Sequence, residues 1–154
     1  METLPDVGLT LADGTPLSLR SLIGAPAVIY FYPKADTPGC TREAQDFSAL
    51  ADAFAAAGTA VVGVSKDAPA RLEKFAGKHA LTVRLASDES GAASEAFGVW
   101  GEKQLYGRTY LGLERATFLF DRAGRLAREW RKVRVPGHAQ AVLDAAKELG
   151  RALG

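Results

Sequence analysis

A single cysteine, Cys40, stands among the 154 residues. No intramolecular disulfide can form, so the staples of small secreted domains are excluded and a reducing, cytoplasmic setting is expected. Histidine is almost as scarce. His79 and His138 lie far apart and far from Cys40, so a zinc ligand set of the usual local spacing cannot be assembled. Charge of one sign is missing as well. Nineteen Lys plus Arg against eighteen Asp plus Glu leave +1, which gives no global field to draw in nucleic acid or an anionic membrane. The longest apolar run, Ala25 to Tyr32, is interrupted by Pro26 and falls well short of the roughly 20 residues that cross a bilayer. Met1 to Arg20 has neither the basic start nor the apolar centre of a secretory leader.

What remains is 47% hydrophobic and 24% charged, the make-up of one globular domain over residues 1–154 that can bury a core without staples. Val7 to Leu11 and Thr15 to Leu19 flank Asp13-Gly14, a strong short hairpin signal. Ala27 to Tyr32 is continuous, β-branched and aromatic, as suits a central strand buried on both faces. From Cys40 onward Ala44, Phe47, Leu50 and Phe54 repeat near 3.6 residues, predicting a four-turn helix stopped at Gly58. Val61 to Val64 reads as a strand, and Asp67-Ala68-Pro69 opens a helix through Leu72, Phe75 and Ala76. The alternation implies a parallel core.

Further on, a short strand near Val83 to Ala86 and a short helix around Ala92 to Phe97 are expected. Thr117 to Phe120 and Leu126 to Val135, joined by a turn at Asp121 to Gly124, form a second hairpin. A final helix over Gly137 to Leu153 carries Ala141, Val142, Ala145 and Leu149 on one face.

The stretch Phe31-Tyr32-Pro33-Lys34-Ala35-Asp36-Thr37-Pro38-Gly39-Cys40-Thr41-Arg42-Glu43 joins the apolar strand to the long helix. It sets one thiol at a helix N-terminus, where free N–H groups and the macrodipole favour an anion, and cysteines so placed ionise well below the usual value of about 8.5. A lone cysteine is otherwise a small buried hydrophobe. The neighbours have ordinary readings too. Thr37 suits a helix N-cap, Pro33 a strand end, Glu43 the positive helix end, and Arg115 a solvated strand end.

Pro33, Thr37 and Cys40 stand at the spacing PxxxTxxC and are followed by Glu43, which resembles the active-site loop of the peroxiredoxins. FYPKADTPGCTREA is closest to the bacterioferritin comigratory protein, or PrxQ, branch, and Phe97 to Lys103 and Arg115 to Asp121 extend the likeness across most of the chain. The resemblance implies an α/β, thioredoxin-like fold, with a central mixed sheet flanked by helices and an N-terminal hairpin. It implies a peroxidase that works without metal, flavin, haem or other cofactor.

By the same resemblance Cys40 is the nucleophile that attacks the peroxide O–O bond, and the Thr37 hydroxyl bridges sulfur and peroxide. Pro33 walls the pocket from water, Arg115 stabilises the thiolate and the leaving oxygen, and Glu43 orients Arg115. Trp100 and Tyr106 lie in a segment that approaches the pocket in the family and are otherwise packing residues. Many members of the branch carry a second, resolving cysteine five residues after the first. Here that position is Gln45. A sulfenic acid on Cys40 must then be returned by an outside thiol, such as a thioredoxin, a glutaredoxin or a low-molecular-weight thiol, with Cys40 to Cys40 dimers as a transient alternative. Monomer or weak homodimer is the expected state, and the helix start need not unwind.

A peroxide sensor or redox interaction module that keeps the thiol without turnover is the alternative reading. A thiol-disulfide oxidoreductase is disfavoured by the lack of a CxxC pair. A Cys-His hydrolase is disfavoured because His79 and His138 sit in no loop motif and read as solvated helix ends. Arg122, Arg125, Arg128, Arg131, Lys132 and Arg134 form the one local basic excess, best read as a solvated edge strand, with an anionic partner as the other possibility.

Overall fold

The computed structural model describes residues 1–153, with side-chain surroundings up to residue 151. Asp13-Gly14 turns strand β1 (Gly8–Leu11) into β2 (Pro16–Ser18), and a 3-10 turn over Leu19–Leu22 follows. The chain continues through β3 (Ala27–Phe31), α1 (Pro38–Ala49), α2 (Ala51–Ala56), β4 (Ala60–Ser65), α3 (Pro69–Lys78) and β5 (Arg84–Ser87). It closes with α4 (Ala92–Ala96), β6 (Trp100–Leu105), β7 (Arg108–Leu113), β8 (Ala116–Phe120), β9 (Leu126–Trp130) and α5 (His138–Leu153).

Seven strands form one sheet in the order β2-β1-β5-β4-β3-β8-β9. Strands β3, β4 and β5 run parallel, and antiparallel partners flank them on both sides. The middle strand is therefore β4, with β3 one place away. Every residue of β3 is buried. Val28 and Tyr30 face the side covered by α1, α2, α3 and α5, while Ile29 and Phe31 face the side covered by α4 and the N-terminal segment. A strand with both faces covered has no polar alternation, which is why its sequence reads as an unbroken apolar run. Gly63 on β4 pairs with Tyr30, and a Cβ there would lie 2.4 Å from the tyrosine ring. Only glycine lets that ring lie flat across the strand.

Four expectations are corrected. The long helix breaks at Leu50, whose ψ of 9° separates α1 from α2. Ser48 accepts hydrogen bonds from Thr82 and Val83 at its hydroxyl and from the Thr82 hydroxyl at its carbonyl, so tertiary bonds compete with the helical ladder there. Strand β9 ends at Trp130 rather than Val135. On α5 the buried face is Ala139, Val142, Leu143, Ala145 and Ala146, and Ala141 is exposed. Finally, β6 and β7 form a separate two-stranded hairpin, for which no strands were expected. Its turn, Tyr106-Gly107, has φ of 52° and 76°, the primed geometry that suits tight hairpins.

Among the described residues no helix is long and apolar enough to cross a membrane. The basic segment does include the edge strand β9, but Arg131 is not merely solvated. It pairs with both oxygens of Glu114 at 2.9 Å and donates to the Gly98 carbonyl at 2.8 Å.

Candidate active site

The site forms where β3 ends. Phe31 is paired with Ala116 across the antiparallel β3–β8 ladder, so Arg115, one residue before β8, emerges beside the loop that leaves β3. That loop turns into α1, where Pro38 takes the first helical position and Cys40 the third. Proline is tolerated there because its missing N–H would be unbonded anyway. The position is the carboxyl end of a parallel strand, where α/β sheets place their ligands.

Cys40 is 2% exposed. Arg115 Nη2 donates to its Sγ at 3.4 Å, and Nη1 donates to Glu43 Oε1 at 2.6 Å. One guanidinium thus spans the thiol and a carboxylate that lies one helical turn further along α1. Gly39 makes room for it, since a Cβ there would sit 3.1 Å from Nη2. Burial pushes the Glu43 carboxyl up, to about 7, although Arg115 pulls it down. Its Oε2 has no hydrogen-bond partner among the described residues, and neither do the buried hydroxyls of Tyr30 and Tyr32. Burial raises both tyrosines. The surroundings of the thiol are therefore dry, with one cation set among several groups that resist ionisation.

Thr37 occupies the N-cap position of α1, but its hydroxyl makes no capping bond and donates to the Lys34 carbonyl at 2.8 Å. With that proton committed, the oxygen is free to accept. Pro33 lines a cleft of about 400 Å³ together with Lys66, Trp100, Lys103 and Leu113. All five expected residues therefore lie around the β3–α1 junction, with Arg115 touching both Cys40 and Glu43 and with Pro33 and Thr37 on the loop that leads into α1.

Several contributors were not anticipated. Asp67 holds the loop by accepting from Ala35 N at 2.7 Å, and Arg71 donates to the Ala35 carbonyl at 3.3 Å. Asp36 has a φ of 63° and accepts from Lys78 and bonds His79, each at 2.8 Å. Aspartate is one of the few residues that enters this left-handed region readily. The bonds from His79 and Lys78 hold its carboxyl below the usual range. His79 thus anchors the loop, and it is half-buried rather than free at a helix end. His138 departs further from expectation. It is buried, bonds the Thr117 hydroxyl at 2.7 Å and packs edge-on to Phe47 and Trp130. Burial, reinforced by Arg115, lowers it to about 4, so it is a neutral core residue at neutral pH. Lys103 from β6 donates to the Leu113 carbonyl at 2.6 Å. It was overlooked because the hairpin that carries it has little apolar periodicity.

Comparison with known proteins places the chain in a family. The profile of the AhpC/TSA family matches residues 1–129. Peroxiredoxin Bcp of Xanthomonas campestris pv. campestris is 46% identical over 142 residues, covering 92% of this chain and 89% of that protein. Peroxiredoxin Bcp of Bacillus subtilis is 42% identical over 145 residues, covering 94% and 92%. A solved structure of the Xanthomonas campestris bacterioferritin comigratory protein, studied for its alkyl peroxide reduction activity, superposes with a TM-score of 0.90. It is 44% identical and covers 96% of each chain. The mixed sheet with its flanking helices is the thioredoxin-like fold of these proteins. The chain belongs to the AhpC/TSA family and, within it, to the Bcp peroxiredoxins, which are thiol-dependent peroxidases.

Proposed function

We propose that the chain reduces hydrogen peroxide and organic hydroperoxides through Cys40 alone, in a one-cysteine cycle. The observation that carries this is the guanidinium of Arg115, 3.4 Å from the sulfur of a nearly inaccessible thiol. A fixed cation in a dry site stabilises negative charge that develops next to it. The thiolate attacks the nearer peroxide oxygen in line with the O–O bond. A sulfenic acid forms on Cys40 and the departing oxygen leaves as hydroxide or alkoxide, to be protonated to water or an alcohol. Arg115 stabilises that departing charge. Thr37, whose own proton lies on the Lys34 carbonyl, accepts the peroxide O–H and so orients the substrate. Pro33 has no N–H and walls the thiol from solvent. Glu43 fixes the guanidinium through its 2.6 Å contact.

Cys40 is the only cysteine, so the sulfenic acid is returned by a thiol from outside the chain. On this reading residues 1–154 act as one domain, as a monomer or weak homodimer, in the reducing cytoplasm. The test is to follow peroxide loss with the reduced protein, first alone and then with excess thiol. One equivalent should be consumed without thiol and many with it. A single stoichiometric oxidation that thiol cannot recycle would identify a sensor instead, and no oxidation at all would refute the proposal.

A further inference from the structure

Resting on the one-cysteine reading, the geometry points to a small thiol bearing carboxylates as the reductant of oxidised Cys40, received by the lysine-lined cleft beside Pro33.

The first support is access. Cys40 is 2% exposed, and the loop above it is tied down at three points. Ala35 N is held by Asp67, the Ala35 carbonyl by Arg71, and Asp36 by both Lys78 and His79. A protein reductant must bring its own sulfur within bonding distance of Cys40, which requires this loop and the first turn of α1 to open. A small thiol has only the Pro33 wall to pass, because the cleft already lies against that residue. At about 400 Å³ the cleft falls within the size range of small-molecule sites. It is bordered by Pro33 from the loop and by Leu113, two residues before Arg115.

The second support is charge. Lys34, Lys66 and Lys103 line the cleft, and among the described residues none of them pairs with a carboxylate. Lys66 lies over the Trp100 ring at 4.0 Å, and Lys103 is fixed to the Leu113 carbonyl at 2.6 Å. Both are half-buried, so their charges are held in place rather than dispersed in solvent. The one carboxylate in the lining, Asp67, is already occupied. Its Oδ1 pairs with Arg71, and its Oδ2 accepts from Ala35 N and the Ser65 hydroxyl. The cleft therefore offers held cations without a matching anion, next to an apolar floor. A thiol whose carboxylates meet Lys66 and Lys103 would carry its sulfur toward Cys40.

The chemistry balances in two steps. The thiol attacks the sulfenic sulfur, forming a mixed disulfide with Cys40 and releasing water. A second molecule of thiol attacks the sulfur of the bound thiol, giving the free disulfide and restoring reduced Cys40. Two thiols lose two electrons in total, which matches one peroxide reduced.

The experiment oxidises the full chain with one equivalent of hydrogen peroxide, confirms the sulfenic acid by mass spectrometry, and then adds four thiols separately. Mercaptosuccinate, 3-mercaptopropionate, 2-mercaptoethanol and cysteamine span charges from dianionic to cationic. Mixed-disulfide formation is followed, with rates expressed per thiolate. Mercaptosuccinate should exceed 2-mercaptoethanol by about tenfold or more at low salt, and the ratio should shrink as salt is added. Lys66→Gln and Lys103→Gln should each collapse the ratio, whereas Lys74→Gln on the exposed side of α3 should preserve it. Because the readout is a ratio within one protein, a general loss of reactivity cannot imitate the result. Equal rates for all four thiols, or a preference that survives both cleft substitutions, would overturn the inference. So would a charge preference seen only in the oxidation step, tested with a carboxylate-bearing hydroperoxide against tert-butyl hydroperoxide. Failure to form any sulfenic acid is seen before a thiol is added and would refute the one-cysteine reading itself.

Discussion

Replacing Glu43 by glutamine should change how stability depends on pH, and the sign can be worked out from the site. The Glu43 carboxyl ordinarily titrates near 4.5 and in the folded chain near 7. Between those values the unfolded chain has lost the proton while the folded chain keeps it. Glu43 therefore contributes stability that is complete below about 4.5 and is lost as pH rises through about 7. The difference corresponds to about 3 kcal/mol across that window. His138 acts in the opposite direction, because it is lowered from 6.5 to about 4. Its contribution is complete above about 6.5 and is lost as pH falls through about 4, by about 2 kcal/mol after allowing for solvent screening. The two windows overlap, so the wild type should be nearly flat between about pH 4.5 and 6.5. The Glu43→Gln variant removes one slope and exposes the other. Urea denaturation at half-unit pH steps would measure both proteins. The stability of the variant relative to wild type should rise by about 3 kcal/mol from pH 4.5 to 7. The baseline offset from altering the Arg115 pair is independent of that slope. A relative stability that stays constant across the window would refute the burial argument for Glu43.

Three further outcomes are expected. Arg115→Ala should slow oxidation of Cys40 by hydrogen peroxide by about 10²- to 10³-fold, the usual cost of removing one donor to a developing charge, as measured by stopped-flow fluorescence. Gly39→Ala places a Cβ 3.1 Å from Arg115 Nη2 and should slow the same step by about tenfold while thermal stability holds or rises, since alanine is the better helix former. Gly63→Ala drives a Cβ to 2.4 Å from the Tyr30 ring and should destabilise the fold by about 1–3 kcal/mol, as overpacking does. Circular dichroism melts would detect this, and an unchanged melting temperature would show that Tyr30 can swing away.

How much of this was legible in the sequence depended on whether the signal was local. The unbroken apolar run of β3 and the Asp13-Gly14 turn express their surroundings directly, so strand and hairpin could be read from them. The loop around Cys40 was legible because its residues are close together in the chain. Arg115 was not legible by spacing, since the register of β3 against β8 brings it to Cys40 from 75 residues away, and only family resemblance pointed to it. The break at Leu50 was hidden because its cause, Thr82 bonding Ser48, lies in the distant loop between α3 and β5. His138 is hidden from a sequence reading because a residue that begins a helix reads as solvated, whereas the packing of Phe47 and Trp130 encloses it. The β6–β7 hairpin escaped notice because both of its faces are largely exposed, which removes the apolar alternation that reveals a strand.

The most direct test of the central claim is to mix the reduced protein with one equivalent of hydrogen peroxide in the presence of a sulfenic acid trap and map the adduct by mass spectrometry. The account predicts rapid, stoichiometric labelling at Cys40, strongly slowed in Arg115→Ala and absent in Cys40→Ser. Peroxide left unconsumed by the wild type, or labelling of Cys40 at the same rate with and without the arginine, would contradict it.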